Sequence, residues 1–166
     1  MDKITLQRLD QLDPRLIEGA KKNFYDLDHI LTGRAICRAA YTRRTFQEQN
    51  DLYAQGRTKL FDATGKRLGI VTWAKGGESY HNYGLALDIV LLIDKDGNGT
   101  YEAASWDTEG DYDGDKQSDW MEVVKVFKAD GWEWGGDWKK PKTDSPHFQK
   151  TFGLSIADLK KLHNVK

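Results

Sequence analysis

The longest uninterrupted apolar run in this 166-residue chain is the five residues Ile89 to Ile93. That is far short of the roughly 20 residues a membrane-spanning helix requires. Extended back to Ala86, the run is rich in β-branched residues and reads as a strand, as does Gly69 to Trp73. Trp132 to Trp134 and His147 to Gln149 are candidates for two more strands. Helices are expected around them. Asp13 followed by Pro14 has the form of an N-cap and first helical residue, with Leu16, Ala20, Phe24 and Leu27 at helical spacing. Thr45 and Glu48 form a capping box opening a helix that should stop near Gly56. Ser118 to Asp130 carries Trp120, Val123, Val124 and Phe127 on one face, with Gly131 as the stop. Ser155 and Asp158 open a short last helix, Ile156 to His163. The chain thus reads as α+β: a small central antiparallel sheet with flanking helices. With no internal repeat, low-complexity stretch or linker, residues 1–166 read as a single domain.

Charge and cysteine usage narrow the function. Twenty-five Lys and Arg against 26 Asp and Glu leave a formal charge of −1, which argues against a basic nucleic-acid binder. The balance is an average: Asp94 to Asp119 carries −7 and the rest of the chain +6. The lone Cys37 cannot form an internal disulfide and reads as a small buried hydrophobe, so any metal must be held by His and carboxylates. Met1 to Leu12 lacks a basic start followed by an apolar run, so no signal peptide is expected and synthesis in the cytoplasm is. No membrane partner is expected, and the chain is expected to be a monomer.

The chemistry concentrates in Ser79-Tyr80-His81-Asn82-Tyr83-Gly84-Leu85-Ala86-Leu87-Asp88. Asp88 falls inside an apolar strand, where an unpaired carboxylate costs several kcal/mol. A cation shared with His81 would compensate it, with Gly84 supplying the turn between them. Backbone donors to Asp88, with His81 merely decorating a loop, are the alternative. A second histidine follows in Asp144-Ser145-Pro146-His147-Phe148-Gln149. Pro146 biases Ser145 toward an extended conformation, and in a polyproline-like stretch three residues make one turn, aligning Asp144 with His147. Two His and one Asp leave the fourth tetrahedral position of a zinc ion for water, as in a catalytic site.

These residues resemble the zinc D-alanyl-D-alanine carboxypeptidases and L-alanyl-D-glutamate endopeptidases, which share a fold with hedgehog signalling domains. Ser79, His81, Gly84, Ala86 and Asp88 match the family pattern S-x-H-x-x-G-x-A-x-D, and Asp144 with His147 matches [DE]-x-x-H. Arg44 to Gln49 and Leu52 to Thr58 look like its substrate-side helix and loop. Trp132 to Trp138 looks like its tryptophan-rich approach to the last ligand. The similarity runs from about Thr5 to Gln149 and is strongest to the endolysin-like, cell-wall-turnover branch.

The resemblance implies one zinc ion held by His81, Asp88 and His147, with Asp144 as general base and Arg44 steadying a substrate carbonyl or carboxylate. Ser79, Gln49 and Trp134 stand as substrate contacts. It further implies hydrolysis of peptidoglycan stem peptides, first the L-alanyl-D-glutamate bond, with D-alanyl-D-alanine carboxypeptidase or dipeptidase activity as the alternative. A non-catalytic, metal-bound cell-wall binding domain is the alternative of another class. Bacterial peptidoglycan is the expected partner, reached by phage-type release, and a mildly basic body suits an anionic wall. Two departures stand out. Thr42-Arg43 replaces the usual Gly-Tyr, so Arg43 competes with Arg44 for the site, and Gln149 stands where Glu is frequent.

Other features have structural readings. Asp94 to Thr100 carries acids at alternate positions like a calcium loop, yet its twelfth residue is Ser105 and no helix precedes it, so it reads first as an Asp-Gly/Asn-Gly hairpin between two strands. Asp111-Tyr112-Asp113-Gly114-Asp115 has Glu122 in the twelfth position but Lys116 where glycine is wanted, so calcium competes with a solvated loop. Trp120 reads as core, while Trp134 and Trp138 read as core or as cleft walls. His29 and His163 have no acid-ligand spacing and read as surface or structural.

Overall fold

The computed structural model describes residues 1–165. Its helices start where the capping residues place them. Asp13 accepts the Arg15 N–H ahead of α2 (Pro14–Ile30), whose stripe Leu16, Ala20, Phe24 and Leu27 is buried. The capping box of Thr45 and Glu48 opens α3 (Phe46–Ala54). Ser118 caps α4 (Asp119–Ala129), and Ser155 with Asp158 opens α5 (Ile156–Leu162). An N-terminal helix, α1 (Lys3–Leu9), was not anticipated: Asp2 accepts from Ile4 N and Thr5 N, and Thr5 and Leu9 one turn apart are buried.

The sheet is antiparallel throughout, in the order β1 (Ala35–Tyr41), β2 (Ala86–Ile93), β5 (His147–Gln149), β4 (Glu133–Trp134). A short β3 (Ala103–Ser105) pairs with the end of β2, so Asp94 to Glu102 is the connection of a hairpin, one of the two readings of that segment. As the central strand, β2 is enclosed almost along its whole length. The α4 stripe closes the core, with the Phe127 ring 5.6 Å from those of Phe24 and Trp132 and 4.8 Å from that of Phe148. Cys37 is buried and unbridged. Among the described residues no helix is long and apolar enough to cross a membrane.

One strand expectation is corrected. Gly69 to Trp73 is an irregular segment, with Ile70, Val71 and Trp73 exposed. Its backbone is held by side chains instead of a neighbouring strand: Arg57 donates to Thr72 O at 2.9 Å and Gln49 to Ala74 O at 2.9 Å. The segment crosses so close to Gly56 that a Cβ there would lie 2.5 Å from Gly69 C. The strand that was not anticipated, β1, alternates small residues, with Ala35, Cys37 and Ala39 facing the core.

The acidic insert folds onto the end of α2, where Asp113 accepts from Thr32 N and Oγ1. Burial, reinforced by neighbouring aspartates, pushes the Asp119 carboxyl up to about 6 and that of Glu122 up to about 7.

Candidate active site

The ladder between β2 and β5 sets Asp88 opposite His147 as direct cross-strand partners. His81 arrives from the other side, on a single 3₁₀ turn (Tyr80–Tyr83) that Ser79 caps and Gly84 ends. Gly84 takes φ +70°, and a Cβ there would lie 2.8 Å from Asp13 N, so only glycine fits between this turn and the start of α2. The turn of Asp144 to His147 closes through a His147 N–H to Asp144 O bond of 3.2 Å. This hydrogen-bonded turn replaces the polyproline-like stretch expected from Pro146.

Three atoms converge. His81 Nε2 lies 3.1 Å from Asp88 Oδ1 and 3.1 Å from His147 Nδ1, and the last two are 3.2 Å apart. The outer ring atoms decide the protons. His81 Nδ1 faces Thr42 O at 2.5 Å, an acceptor, so in the neutral ring the proton sits on Nδ1 and Nε2 presents a lone pair inward. His147 Nε2 faces Gln149 Oε1 at 3.1 Å, which turns the Nδ1 lone pair inward in the same way. Two imidazole lone pairs and a carboxylate oxygen thus meet at one point, a set suited to holding a metal ion. Ligands bound to a tetrahedral zinc at about 2.0–2.2 Å stand roughly 3.3 Å apart, close to the edges of this triangle. The donor set therefore fits zinc.

Around the triangle, Arg44 pairs with the second oxygen of Asp88 and lies over the Tyr41 ring, with Cζ 5.2 Å from its centroid. Arg43 is exposed and makes no such contact, so Arg44 is the arginine brought to the site. Among the described residues the Asp88 carboxylate has only side-chain partners, Arg44, His81 and His147. Burial alone would raise it, but the two imidazoles, by charge and hydrogen bond, hold it well below the usual carboxylate range. Burial lowers His81, whereas the bond and charge of Asp88 outweigh burial and raise His147. Asp144 is exposed. Desolvation by the protein crowding its carboxyl, and then the Asp88 charge, raise its pKa.

The other sequence candidates have supporting positions. The Ser79 hydroxyl accepts from His81 N at 3.4 Å, fixing the turn that carries a ligand. Gln49 is fully buried and donates to Thr72 Oγ1 and Ala74 O, tying α3 to the irregular segment. Trp134 donates from Nε1 to Ser145 O at 2.7 Å and so holds the turn of Asp144 and His147. Trp138 covers His147, with ring centroids 5.1 Å apart. Trp120 is core. His29 bonds Tyr25 O within its own helix and His163 ends α5, both away from the triangle.

Several contributors escaped sequence reasoning. Thr42 acts through its carbonyl, which no side-chain pattern reveals. Glu133 accepts from Gln149 Nε2 at 2.8 Å, orienting the amide so that its oxygen meets His147. Asn82 accepts from Gly77 N and donates to Arg44 O and Thr45 O, lashing the His81 turn to the arginine. Its spacing from Ser79, a capping-box pattern, was the available signal.

The sequence pattern of the D-alanyl-D-alanine carboxypeptidase family matches residues 72–150, the stretch that holds all three converging side chains. A curated relative, the peptidoglycan L-alanyl-D-glutamate endopeptidase CwlK of Bacillus subtilis strain 168, is 51% identical over 106 residues, which cover 64% of this chain and 55% of CwlK. The chain thus matches little more than half the length of that relative. The crystal structure of the L-Ala D-Glu endopeptidase ChiX of Serratia marcescens superposes with a TM-score of 0.54 at 21% identity, over 92% of this chain and 90% of that one. The fold is therefore that of ChiX. The zinc complex of the vancomycin-resistance D,D-pentapeptidase VanY is more distant, with a TM-score of 0.46 at 17% identity over 92% of this chain and 78% of that one.

Proposed function

We propose that the chain is a zinc peptidase that hydrolyses peptidoglycan stem peptides, cutting the L-alanyl-D-glutamate bond. The observation that carries the reading is the convergence of His81 Nε2, Asp88 Oδ1 and His147 Nδ1, with a carboxyl of raised pKa, Asp144, beside them. Likeness to CwlK supports the choice of bond, and the wall outside the cell is then the place of action. The family description favours a second reading, a D-alanyl-D-alanine carboxypeptidase using the same centre.

A zinc ion bound by these three side chains supplies Lewis acidity, lowering the pKa of a water toward about 7 and polarising the scissile carbonyl. The protein does the rest. Asp144 takes a proton from the attacking water and returns it to the departing amine, a double role worth on the order of 10²–10⁴ in rate. Its raised pKa suits a group that must hold that proton between the two steps. Arg44, fixed by Asp88 and Tyr41, sets a positive charge beside the carbonyl oxygen as it becomes anionic. Thr42 O and the relay from Gln149 to Glu133 keep both imidazoles in the ligating tautomer.

Asp144→Asn is expected to keep stoichiometric zinc and lose cleavage of purified peptidoglycan; turnover at the parent rate would remove Asp144 from its role. Mass spectrometry of the parent digest separates the two readings. Free L-alanine termini on the glycan with stems released from D-glutamate onward support the endopeptidase, and release of terminal D-alanine alone supports the carboxypeptidase.

A further inference from the structure

The acidic insert holds two runs of alternating carboxylates, and the structure treats them differently. In the hairpin loop, Asp94 is satisfied internally: its oxygens accept from Gly97 N at 2.7 Å, Asn98 N at 3.1 Å and Gly99 N at 2.9 Å. Glu102 accepts from Lys95 N. Asp94, Asp96 and Glu102 also bring carboxylate oxygens within 4.8 Å of one another, but among the described residues this loop holds no buried oxygen without a hydrogen-bond partner.

The second run ends otherwise. Asp111, Asp113 and Asp115 bring carboxylate oxygens within 4.8 Å of one another, and Asp113, Asp119 and Glu122 form a second such group that shares Asp113. Asp119 is 0% exposed. One of its oxygens accepts from Tyr112 N at 3.2 Å, and the other, Oδ1, is buried with no hydrogen-bond partner. Glu122 Oε2 is likewise buried and unpartnered. An ionised oxygen removed from water and left without a donor carries a penalty of several kcal/mol. Two such oxygens beside three further aspartates are relieved either by taking up protons or by a cation, and the convergence of five carboxylates offers a cation its ligands.

We propose that the loop from Asp111 to Glu122 binds one calcium ion. Counted from Asp111, the acids fall at positions 1, 3, 5, 9 and 12 of a twelve-residue loop, the spacing by which calcium loops present oxygen ligands, with a bidentate glutamate last. Position 6, where such loops require a left-handed residue, is Lys116, and it adopts φ +73°. A hard, oxygen-seeking ion that accepts six to eight ligands in flexible geometry suits this set better than magnesium, which demands a tight octahedron and keeps its waters. Unlike paired calcium hands, the loop has no helix before it. It is anchored instead by Asp113 to Thr32 at the end of α2 and runs directly into α4. The site is independent of the zinc centre and of the peptidase reading.

The test is calorimetric titration of the full chain with calcium chloride at neutral pH, with melting temperature followed in parallel. One calcium per chain and a rise in melting temperature are expected, with magnesium binding at least roughly tenfold more weakly. Glu122→Gln and Asp119→Asn should each weaken calcium at least roughly tenfold by removing a ligand charge. Asp119→Asn keeps an oxygen for Tyr112 N, and unchanged far-ultraviolet dichroism would show both variants folded. Asp96→Asn in the hairpin loop and His81→Ala at the zinc centre should leave calcium affinity and stoichiometry as in the parent. The proposal is overturned by no heat and no thermal shift at millimolar calcium, by parent affinity in both Glu122→Gln and Asp119→Asn, by loss of binding in Asp96→Asn, or by a stoichiometry of two.

Discussion

Gly135→Ala should disable the candidate centre without touching any group that would hold metal or move a proton. Gly135 is buried, and its carbonyl accepts the Asp144 N–H at 3.0 Å. A Cβ there would lie 2.4 Å from Asp144 O, 3.1 Å from His147 Cβ and 3.2 Å from Asp144 Cβ. The first contact is decisive because a carbonyl oxygen cannot swing aside as a side-chain tip does, and this one also accepts the His147 N–H. To regain ordinary contact the Asp144 backbone must retreat by about 1 Å, and a displacement of that size costs on the order of 10² in rate when it falls on positioned catalytic groups. Overpacking should also cost about 1–3 kcal/mol of stability. Release of soluble peptide from purified peptidoglycan measures the rate, and competition with a chelator measures zinc retention. Gly69→Ala is the control, since nothing lies within 4 Å of a Cβ there. If Gly135→Ala cleaves at the parent rate and keeps its zinc against the chelator, the close packing of this glycine under the Asp144 turn does not position the site.

Three further outcomes follow from the structure. Gln149→Leu removes the acceptor of His147 Nε2 and should cost roughly 10–100-fold in zinc affinity, read by chelator competition. Phe127→Ala empties a fully buried position among Phe24, Trp132 and Phe148 and should cost about 3–5 kcal/mol in urea denaturation. Asp2 caps α1 and meets Thr5 and Arg38; burial opposes its ionisation, but those bonds win and lower its pKa. Its stabilisation is therefore complete above the ordinary carboxylate pKa of about 3.9 and lost as pH falls through the lower folded value. Asp2→Ala should cost about 1 kcal/mol at neutral pH and progressively less in denaturation curves taken as pH falls below the ordinary carboxylate value.

What the sequence revealed depended on whether a residue's role is written in its own side chain. Caps announce themselves, so α2, α3, α4 and α5 were legible from Asp13, Thr45, Ser118 and Ser155. Strands were judged by β-branching, which failed in both directions. Ile70 and Val71 have the composition of a strand but no partner. The core-facing residues of β1 are alanines and a cysteine, whose small size lets α1 and α2 pack close and hides the strand from a propensity argument. At the site, His81, Asp88 and His147 were readable as ligand types at telling positions. Thr42 was not, because it works through a carbonyl, and Glu133 was not, because its partner Gln149 lies across a strand pair. Gln49 and Trp134 were read as substrate contacts; in the structure Gln49 Nε2 donates to Thr72 Oγ1 and Ala74 O, and Trp134 Nε1 donates to Ser145 O.

The strand pair that joins Asp88 to His147 has a consequence for how the molecule comes apart. The ladder between β1 and β2 runs through six residue pairs, while β5 meets β2 over three and β4 over two. The ligands thus straddle a seam half as long as the β1–β2 ladder, between residues 59 apart in sequence. An ion gripped there acts as a rivet that closes a long loop, much as a cross-link would. Stripping it should leave the β1–β2 hydrogen bonds standing while amide protons of β5 and β4 begin to exchange with solvent. Loss of metal should then bring a local fraying of the Asp144 turn as well as a missing reagent, so that this edge of the sheet and the chemistry would fail together.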